Sequence, residues 1–175
     1  FGLRKERVLV VKMPSNEEAQ ISELPEGIGL MPWLEELNLE GNKIQKLPQG
    51  LFQLRELKKL NLHGNKMAEL PDSFSSLSNL THLNLSSIEF TSIPKSIFSL
   101  SKLQVLDLSW NKKIVELSPS IAELKNLEEL NLESNALTEI PDEIGGLKKL
   151  KKVSLSYNKL TAFPESILKL EELES

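Results

Sequence analysis

The sequence of 175 residues has no cysteine, no long apolar run and no excess of basic residues. The lack of cysteine excludes a thiol nucleophile and metal sites built from thiolates. Charged residues make up 26% of the chain, and no apolar stretch approaches the length of a bilayer-spanning helix. The net charge of −4 disfavours nucleic acid as a partner, because affinity for phosphates comes mainly from lysine and arginine. The length predicts a single domain.

From Ile21 onward the chain repeats one pattern, which residues 34–57 show most regularly as LEELNLEGNKIQKLPQGLFQLREL. An asparagine recurs every 23 residues, with one step of 24 and with Ile88 standing where a sixth asparagine would fall. A Leu-x-Leu pair and a Leu-Pro or Ile-Pro pair recur at the same step, although Leu117-Ser118 breaks the proline series. The asparagine column consists of Asn42, Asn65, Asn111, Asn135 and Asn158.

The Leu-x-Leu alternation has a period of two, so both leucines face the same side of a short strand. One such unit cannot bury its leucines alone, whereas stacked units form a continuous core. The strands must be parallel, and the Pro-x-x-Ile-x-x-Leu return segment is too short for a full crossover helix. The sequence therefore predicts extended or 3₁₀ return segments and six strands, namely Glu36–Glu40, Lys59–His63, His82–Ser86, Val105–Ser109, Glu129–Glu133 and Lys152–Ser156.

This pattern resembles the leucine-rich repeat family in its 23-residue form, L-x-x-L-x-L-x-x-N-x-L-x-x-L-P-x-x-I-x-x-L, over residues 21–173. The resemblance implies an α/β solenoid, a horseshoe segment with a concave parallel β-sheet and short 3₁₀ or irregular convex segments. It also implies that the asparagine column forms a structural ladder that satisfies turn backbone groups. Extracellular animal and plant members usually carry cysteine-rich caps. The lack of cysteine therefore favours the cytoplasm, with a bacterial secreted or surface protein as the alternative.

Residues 1–20 depart from the repeat and are predicted to form a degenerate N-terminal cap. In this interpretation Arg7–Lys12 is a strand and Met13–Asn16 is a turn. At the other end the sequence stops within the pattern and shows no polar cap. We expect either further C-terminal sequence or end-to-end association through this end. On the return segments Phe52, Phe98 and Leu168 share a column, which is expected to pack between repeats, with a binding strip on that side as the alternative.

The outward strand positions are where specificity should lie, because the core does not need them. One outward column is short and polar, and it is expected to form either a cross-strand ladder or a polar binding floor; it contains Asn38, Asn61, Asn84, Asp107, Asn131 and Ser154. The two positions before it carry acidic pairs opposite lysine pairs, at 35–36 with 58–59 and at 128–129 with 151–152. Strands ~4.8 Å apart would make these groups ion pairs.

Between the two charged zones the same positions are neutral: Thr81, His82, Gln104 and Val105. Trp110 and Tyr157 are expected at one rim of this face, where Trp110 either points outward or folds over the adjacent turn. Tryptophan and tyrosine are enriched at interface hot spots. The irregularities at Ile88, at the 24-residue step and at Ser118 occur in the same middle repeats. They indicate either sequence drift without functional meaning or a functional surface in these repeats.

Catalytic patterns are lacking. His63 and His82 fall at different strand positions, about 13 Å apart along the strand direction, so they cannot share a metal ion. The Gly145-Gly146-Leu147-Lys148 segment lacks the spacing of a phosphate-binding loop. Carboxylates are numerous but lie on an open surface. We therefore expect no enzymatic activity, no cofactor and no metal.

The sequence and the resemblance together predict a protein-interaction module that binds another protein through its concave face. The expected binding residues are His63, Thr81, His82, Gln104, Val105, Asp107, Trp110 and Tyr157. Two alternatives remain open. The chain is a recognition or regulatory segment of a larger signalling enzyme, or it is a secreted or surface bacterial adhesin or effector.

Overall fold

The computed structural model describes residues 7–11 and 20–175, which form a solenoid around one open parallel sheet. Each strand pairs with the next in chain order, and Leu37, Leu60, Leu83 and Leu106 stand opposite one another in register. The strands are β1 (Val8–Val10), β2 (Glu36–Asn38), β3 (Lys59–Asn61), β4 (His82–Asn84), β5 (Val105–Asp107), β6 (Glu129–Asn131) and β7 (Lys152–Ser154). This architecture confirms the predicted leucine-rich repeat solenoid.

The six predicted strands begin at the predicted residues but are two residues shorter than expected. The reason is visible at the end of β2, where the Oδ1 of Asn38 accepts a hydrogen bond from the backbone N–H of Glu40 at 3.0 Å. This Asx-type bond begins the turn at residues 40–41, although the Gly41 N–H still donates to the His63 carbonyl of the next repeat at 2.8 Å. The predicted strand at Arg7–Lys12 contains β1, whereas the predicted turn at Met13–Asn16 lies outside the described residues.

The return segments are five-residue 3₁₀ helices, as the short Pro-x-x-Ile-x-x-Leu spacing predicted. They are Glu26–Leu30, Gln49–Gln53, Asp72–Ser76, Lys95–Ser99, Pro119–Glu123, Asp142–Gly146 and Glu165–Lys169. An extended proline precedes each of them except Pro119–Glu123, where Ser118 takes its place. The Ser118 Oγ accepts a hydrogen bond from the Ser120 N–H at 3.2 Å, so a serine cap replaces the proline.

The core runs through the whole stack between the sheet and the 3₁₀ helices. Phe52 and Phe98 are buried between repeats, as predicted, and Phe52 meets Phe74 edge to face with ring centroids 6.3 Å apart. The prediction is wrong for Leu168, which is 75% exposed. Leu168 lies on the last described 3₁₀ helix, where no following repeat within the described chain covers it.

The asparagine column joins neighbouring repeats by hydrogen bonds, and Asn65 shows the pattern. Its Nδ2 donates to the carbonyl oxygens of Leu62 at 2.8 Å and Leu39 at 2.9 Å. Its Oδ1 accepts from the N–H of Ile44 at 3.1 Å. The paired donor bonds recur at Asn42, Asn111, Asn135 and Asn158. These side chains satisfy backbone groups that the turns leave away from water.

Candidate functional site

The outward face of the sheet is divided by charge into two paired zones. At the β2–β3 end, Lys59 Nζ lies 2.9 Å from Glu36 Oε1. At the β6–β7 end, Lys152 Nζ lies 2.8 Å from Glu129 Oε1. The neighbouring positions pair in the same way, with Lys58 on Glu35 at 2.9 Å and Lys151 on Glu128 at 2.8 Å; Arg7 also pairs with Glu35. The lysines and acids of both zones therefore neutralise one another.

The pairing is strong enough to shift the titration of three of these groups. The hydrogen bond from Lys151 and its positive charge lower the pKa of Glu128, and the same contact raises the pKa of Lys151. The pKa of Lys152 is raised by its hydrogen bond with Glu129. These side chains remain exposed to solvent, so their net contribution to stability is small. Their main effect is to fix two charged borders on the sheet.

Between these borders β4 and β5 present a neutral surface, which we call the neutral window, made of Thr81, His82, Gln104 and Val105. His82 stands directly opposite Val105 in the sheet, and all four residues are half-buried. The hydroxyl of Thr81 donates to the carbonyl oxygen of Lys58 at 3.1 Å and lies 2.9 Å from His82 Nδ1. The window is therefore ordered by local hydrogen bonds and carries an apolar side chain at its centre.

In the polar outward column, side-chain oxygens accept hydrogen bonds from backbone N–H groups two residues later in the same repeat, rather than from neighbouring strands. The Oδ1 of Asp107 accepts from the N–H of Ser109 at 2.9 Å, and the corresponding bonds form in the other repeats at Asn38, Asn61, Asn84 and Asn131. One cross-strand bond runs from Asn61 Nδ2 to Glu40 Oε2 at 3.3 Å. Among the described residues, the amide nitrogens of Asn38, Asn84 and Asn131 have no such partner and remain available as donors.

A groove of about 380 Å³ runs across this face from β1 to β5. It brings together three of the predicted binding residues, His82, Val105 and Asp107. Sequence reasoning missed Val8 and Val10, which line the same groove and are 47% and 56% exposed. The signal was available, because these valines occupy alternate positions in a segment already predicted to be a strand. A second groove, of about 320 Å³, continues from Val105 and Asp107 to β7.

The remaining predicted residues lie at the margins of this surface. His63 follows β3, and its Nδ1 lies 2.7 Å from the Oγ of Ser86, which itself donates to Asn84 Oδ1 at 2.6 Å. His63 and His82 therefore belong to separate hydrogen-bond networks. Among the described residues no group of histidine, aspartate and glutamate side chains could hold a metal ion.

Trp110 and Tyr157 are exposed aromatic residues on the turns that follow β5 and β7. Trp110 is 50% exposed and Tyr157 is 79% exposed, and both have positive φ angles, of 60° and 56°. The Nζ of Lys112 lies 5.7 Å from the centroid of the Trp110 ring, within the range of a cation–π contact. The structure does not bring Tyr157 into the grooves around His82 and Trp110.

The two irregular repeats alter the asparagine ladder on either side of Asn111. Its Oδ1 accepts from Ile88 N at 3.1 Å and from Phe90 N at 3.2 Å. The Oδ1 of Asn135, which is buried, has no hydrogen-bond partner in the part of the chain that the structure describes. The extra residue of the 24-residue step explains this, because Ile114 N donates to the carbonyl of Asn111 at 2.9 Å instead. The ladder is thus interrupted next to the neutral window.

Comparison with known proteins agrees with this geometry. A family model described as a leucine-rich repeat region matches residues 72–175, and a second leucine rich repeat model matches residues 32–87. No protein of curated function matches the sequence significantly. Within the described residues no helix has the length and apolar character needed to cross a bilayer.

Three solved structures illustrate the similarity. A leucine-rich repeat protein of Leptospira interrogans is 38% identical with a TM-score of 0.86, over 89% of this chain and 39% of that one. PEPR1, solved with AtPEP1, is 31% identical with a TM-score of 0.77, over 95% of this chain and 24% of that one. The ectodomain of the Arabidopsis thaliana receptor kinase GASSHO1/SCHENGEN3, in complex with CASPARIAN STRIP INTEGRITY FACTOR 2, is 27% identical with a TM-score of 0.72, over 86% and 19%.

This chain therefore spans less than half the length of each of these neighbours. The family and the fold are typically those of non-enzymatic interaction modules. The repeat pattern, the parallel sheet and the matched family models agree, and the chain belongs to the leucine-rich repeat family.

Proposed function

We propose that this chain binds a partner protein through the concave sheet face, with the neutral window at the centre of the contact, and that it has no catalytic activity of its own. The observation that carries the proposal is the charge pattern of that face. On β2–β3 and β6–β7 the lysines and acids pair with one another at 2.8–2.9 Å. At the same two positions β4 and β5 carry the uncharged, half-buried side chains of the neutral window, which take no part in this pairing.

The physical advantage lies in desolvation. A partner that covers Val105 and His82 removes apolar surface from water, which favours binding by roughly 25 cal/mol per Å². A partner placed on the outer zones would have to separate or desolvate exposed ion pairs, which opposes binding. The charged borders therefore surround the contact in the way that a polar rim surrounds the core of an interface.

The groove from β1 to β5 extends this contact along the sheet. Val8 and Val10 present an exposed apolar edge at one end of the groove, and the half-buried Val105 lies at the other end. The amide groups of Asn38 and Asn84 lie between these valines, together with that of Asn61, which also donates to Glu40 Oε2 at 3.3 Å. A segment with apolar side chains at both ends and backbone carbonyls between them fits such a surface, because the amides donate hydrogen bonds.

The test is a selection of binders from a randomised peptide library displayed on phage, followed by a comparison of two variants. His82→Glu with Val105→Glu places two negative charges in the neutral window. Gln53→Glu with Ser99→Glu places two on exposed convex positions and is the matched control. We expect most selected binders to lose about tenfold or more in affinity for the window variant and to keep their affinity for the control. Binders that are mostly indifferent to the window variant would refute the proposal.

A further inference from the structure

A third groove, of about 490 Å³, lies on the rim where the chain leaves β3, β4 and β5. We call it the rim groove, and it is lined by Lys66, Ser87, Glu89, Trp110, Lys112 and Lys113. Gly64 contributes backbone without a side chain. The rim groove is separate from the two grooves on the sheet face, since it shares no lining residue with either of them. Trp110 lies only three positions beyond Asp107, the last residue of β5, so one partner can reach both.

The backbone of the rim groove is left-handed at several residues. Trp110 has φ 60°, Ser87 has φ 55° and Glu89 has φ 68°. Other repeats place glycine at the position of Trp110, as at Gly41 and Gly64 with φ 74° and 68°. A bulky side chain is disfavoured in this conformation. The fold therefore does not require tryptophan here, and its presence on an exposed rim calls for another role.

The charge of the rim groove differs from that of the rest of the molecule. The whole chain carries a net charge of −4, whereas the lining of this groove contains three lysines and one glutamate. Lys66 and Glu89 form an exposed ion pair at 3.7 Å, and Lys112 lies over the Trp110 ring. Lys113 has no side-chain partner among residues 7–11 and 20–175. The groove thus offers an aromatic surface beside uncompensated positive charge.

We infer that the rim groove binds an acidic segment of the partner protein, with a carboxylate at Lys112 and Lys113 and an adjacent apolar side chain against Trp110. This inference rests on the proposed function, because it assigns a chemical character to the partner of the same face. Charge complementarity identifies the occupant: an acidic chain meets a locally basic patch, whereas a basic segment would meet three lysines. The aromatic ring supplies the contact area that the charges alone lack.

The experiment uses two short fluorescein-labelled peptides and fluorescence polarisation. One peptide alternates Asp-Asp with Leu in a Gly-Ser frame, and the other carries Asn in place of each Asp. We expect the Asp peptide to bind about tenfold more tightly than the Asn peptide at low salt. The difference should shrink as NaCl is raised, because exposed charges are screened.

The matched variants locate the effect. The double variant Lys112→Gln, Lys113→Gln should bind the Asp and Asn peptides with equal affinity. Trp110→Gly should lower the affinity for both peptides. Lys95→Gln with Lys125→Gln removes the same charge from exposed convex positions and should change nothing. Equal affinity of the two peptides, or an equal loss in the convex control, would overturn the inference.

The outcome separates this inference from the proposed function. If the library binders depend on the neutral window, but the two peptides bind equally, the rim assignment fails and the proposed function stands. If the library binders keep their affinity for the window variant, while binding of the Asp peptide requires Lys112 and Lys113, the proposed function fails at the concave face. Selected binders enriched in Asp and Glu whose affinity falls in the Lys112→Gln, Lys113→Gln variant would support both.

Discussion

The side-chain oxygen of Asn111 accepts the backbone N–H of Ile88 at 3.1 Å, across the repeat in which isoleucine has replaced the ladder asparagine. The same oxygen also accepts from Phe90 at 3.2 Å, so one residue satisfies two amides of the preceding repeat. Asn135, the next member, uses only its donor side, because its Oδ1 has no partner among the described residues.

This asymmetry predicts different costs for the same substitution at the two asparagines. Asn111→Ala leaves two buried amides and the carbonyl of Leu85 without their partner, at about 1–3 kcal/mol for each group that stays unpaired. Asn135→Ala removes only the donor bonds, so we expect it to destabilise the fold by at least ~1 kcal/mol less. Urea unfolding of both variants measures the difference. Equal losses would show that the acceptor bonds of Asn111 do not stabilise the fold.

The left-handed backbone at Trp110 predicts an inverted preference between glycine and alanine. At φ 60° an L-residue with a side chain is strained, so Trp110→Gly should be about 1 kcal/mol more stable than Trp110→Ala. Thermal or urea unfolding of the pair tests this. Lys113 is the control, because its φ angle is not positive. At this position the glycine variant should be less stable than the alanine variant. The same order at both positions would contradict the account.

The ion pair between Lys151 and Glu128 predicts that a substitution of Lys151 changes the pKa of Glu128. The pKa of Glu128 lies below its ordinary value of 4.5 because Lys151 donates a hydrogen bond to its carboxylate. Carbon-detected NMR titration should show this lowered pKa, and Lys151→Gln should return it upward. Lys125→Gln, on the convex side, should leave it unchanged. An unaltered Glu128 pKa in Lys151→Gln would show that the pair does not persist in solution.

The same pair sets a pH window for its small contribution to stability. Because the folded-state pKa of Glu128 is lowered, its contribution is present above the unfolded-state pKa and is lost as pH falls through the folded value. The pKa values of Lys151 and Lys152 are raised, so their contribution is present at neutral pH and is lost as pH rises through the raised values. The stability difference between the native chain and Glu128→Gln should therefore be largest near neutral pH. Urea unfolding across pH measures it, and a difference that grows towards acid would contradict the assignment.

The column on the return segments predicts unequal costs of truncation. Phe98→Ala removes a side chain that is 7% exposed and should cost about 3–5 kcal/mol. Leu168→Ala removes one that is 75% exposed and should change stability by less than ~0.5 kcal/mol. Urea unfolding distinguishes the two. A large loss at Leu168 would mean that its side chain is covered in solution.

Much of the architecture follows from the repeat, because period-two alternation and a fixed step determine which residues face the core and which strands are neighbours. The register of Leu60 opposite Leu83 follows directly from the 23-residue step. The strand ends do not follow, since they depend on whether the Asn38 oxygen bonds its own chain or the next strand. The alternation of apolar and polar residues does not determine which of two N–H donors within reach bonds to that oxygen.

The candidate site was predictable in part for the same reason. The neutral window at His82 and Val105 is visible in the sequence, because the repeat aligns the outward columns. The participation of Val8 was not inferred, since β1 lies outside the regular repeat and its register with Glu36 is set by backbone pairing. The rim groove was also missed, because its lysines become neighbours only once the turns after β3, β4 and β5 are stacked.

The most direct test of the central claim is an NMR map of the face that a selected binder occupies. Methyl and aromatic spectra are recorded with and without the binder. The account predicts that signals of Val105, His82 and Trp110 shift strongly, while the methyl groups of Ile97 and Ile121 on the 3₁₀ helices stay in place. Shifts concentrated on the 3₁₀ helices, with Val105 and His82 unaffected, would contradict recognition through the concave face.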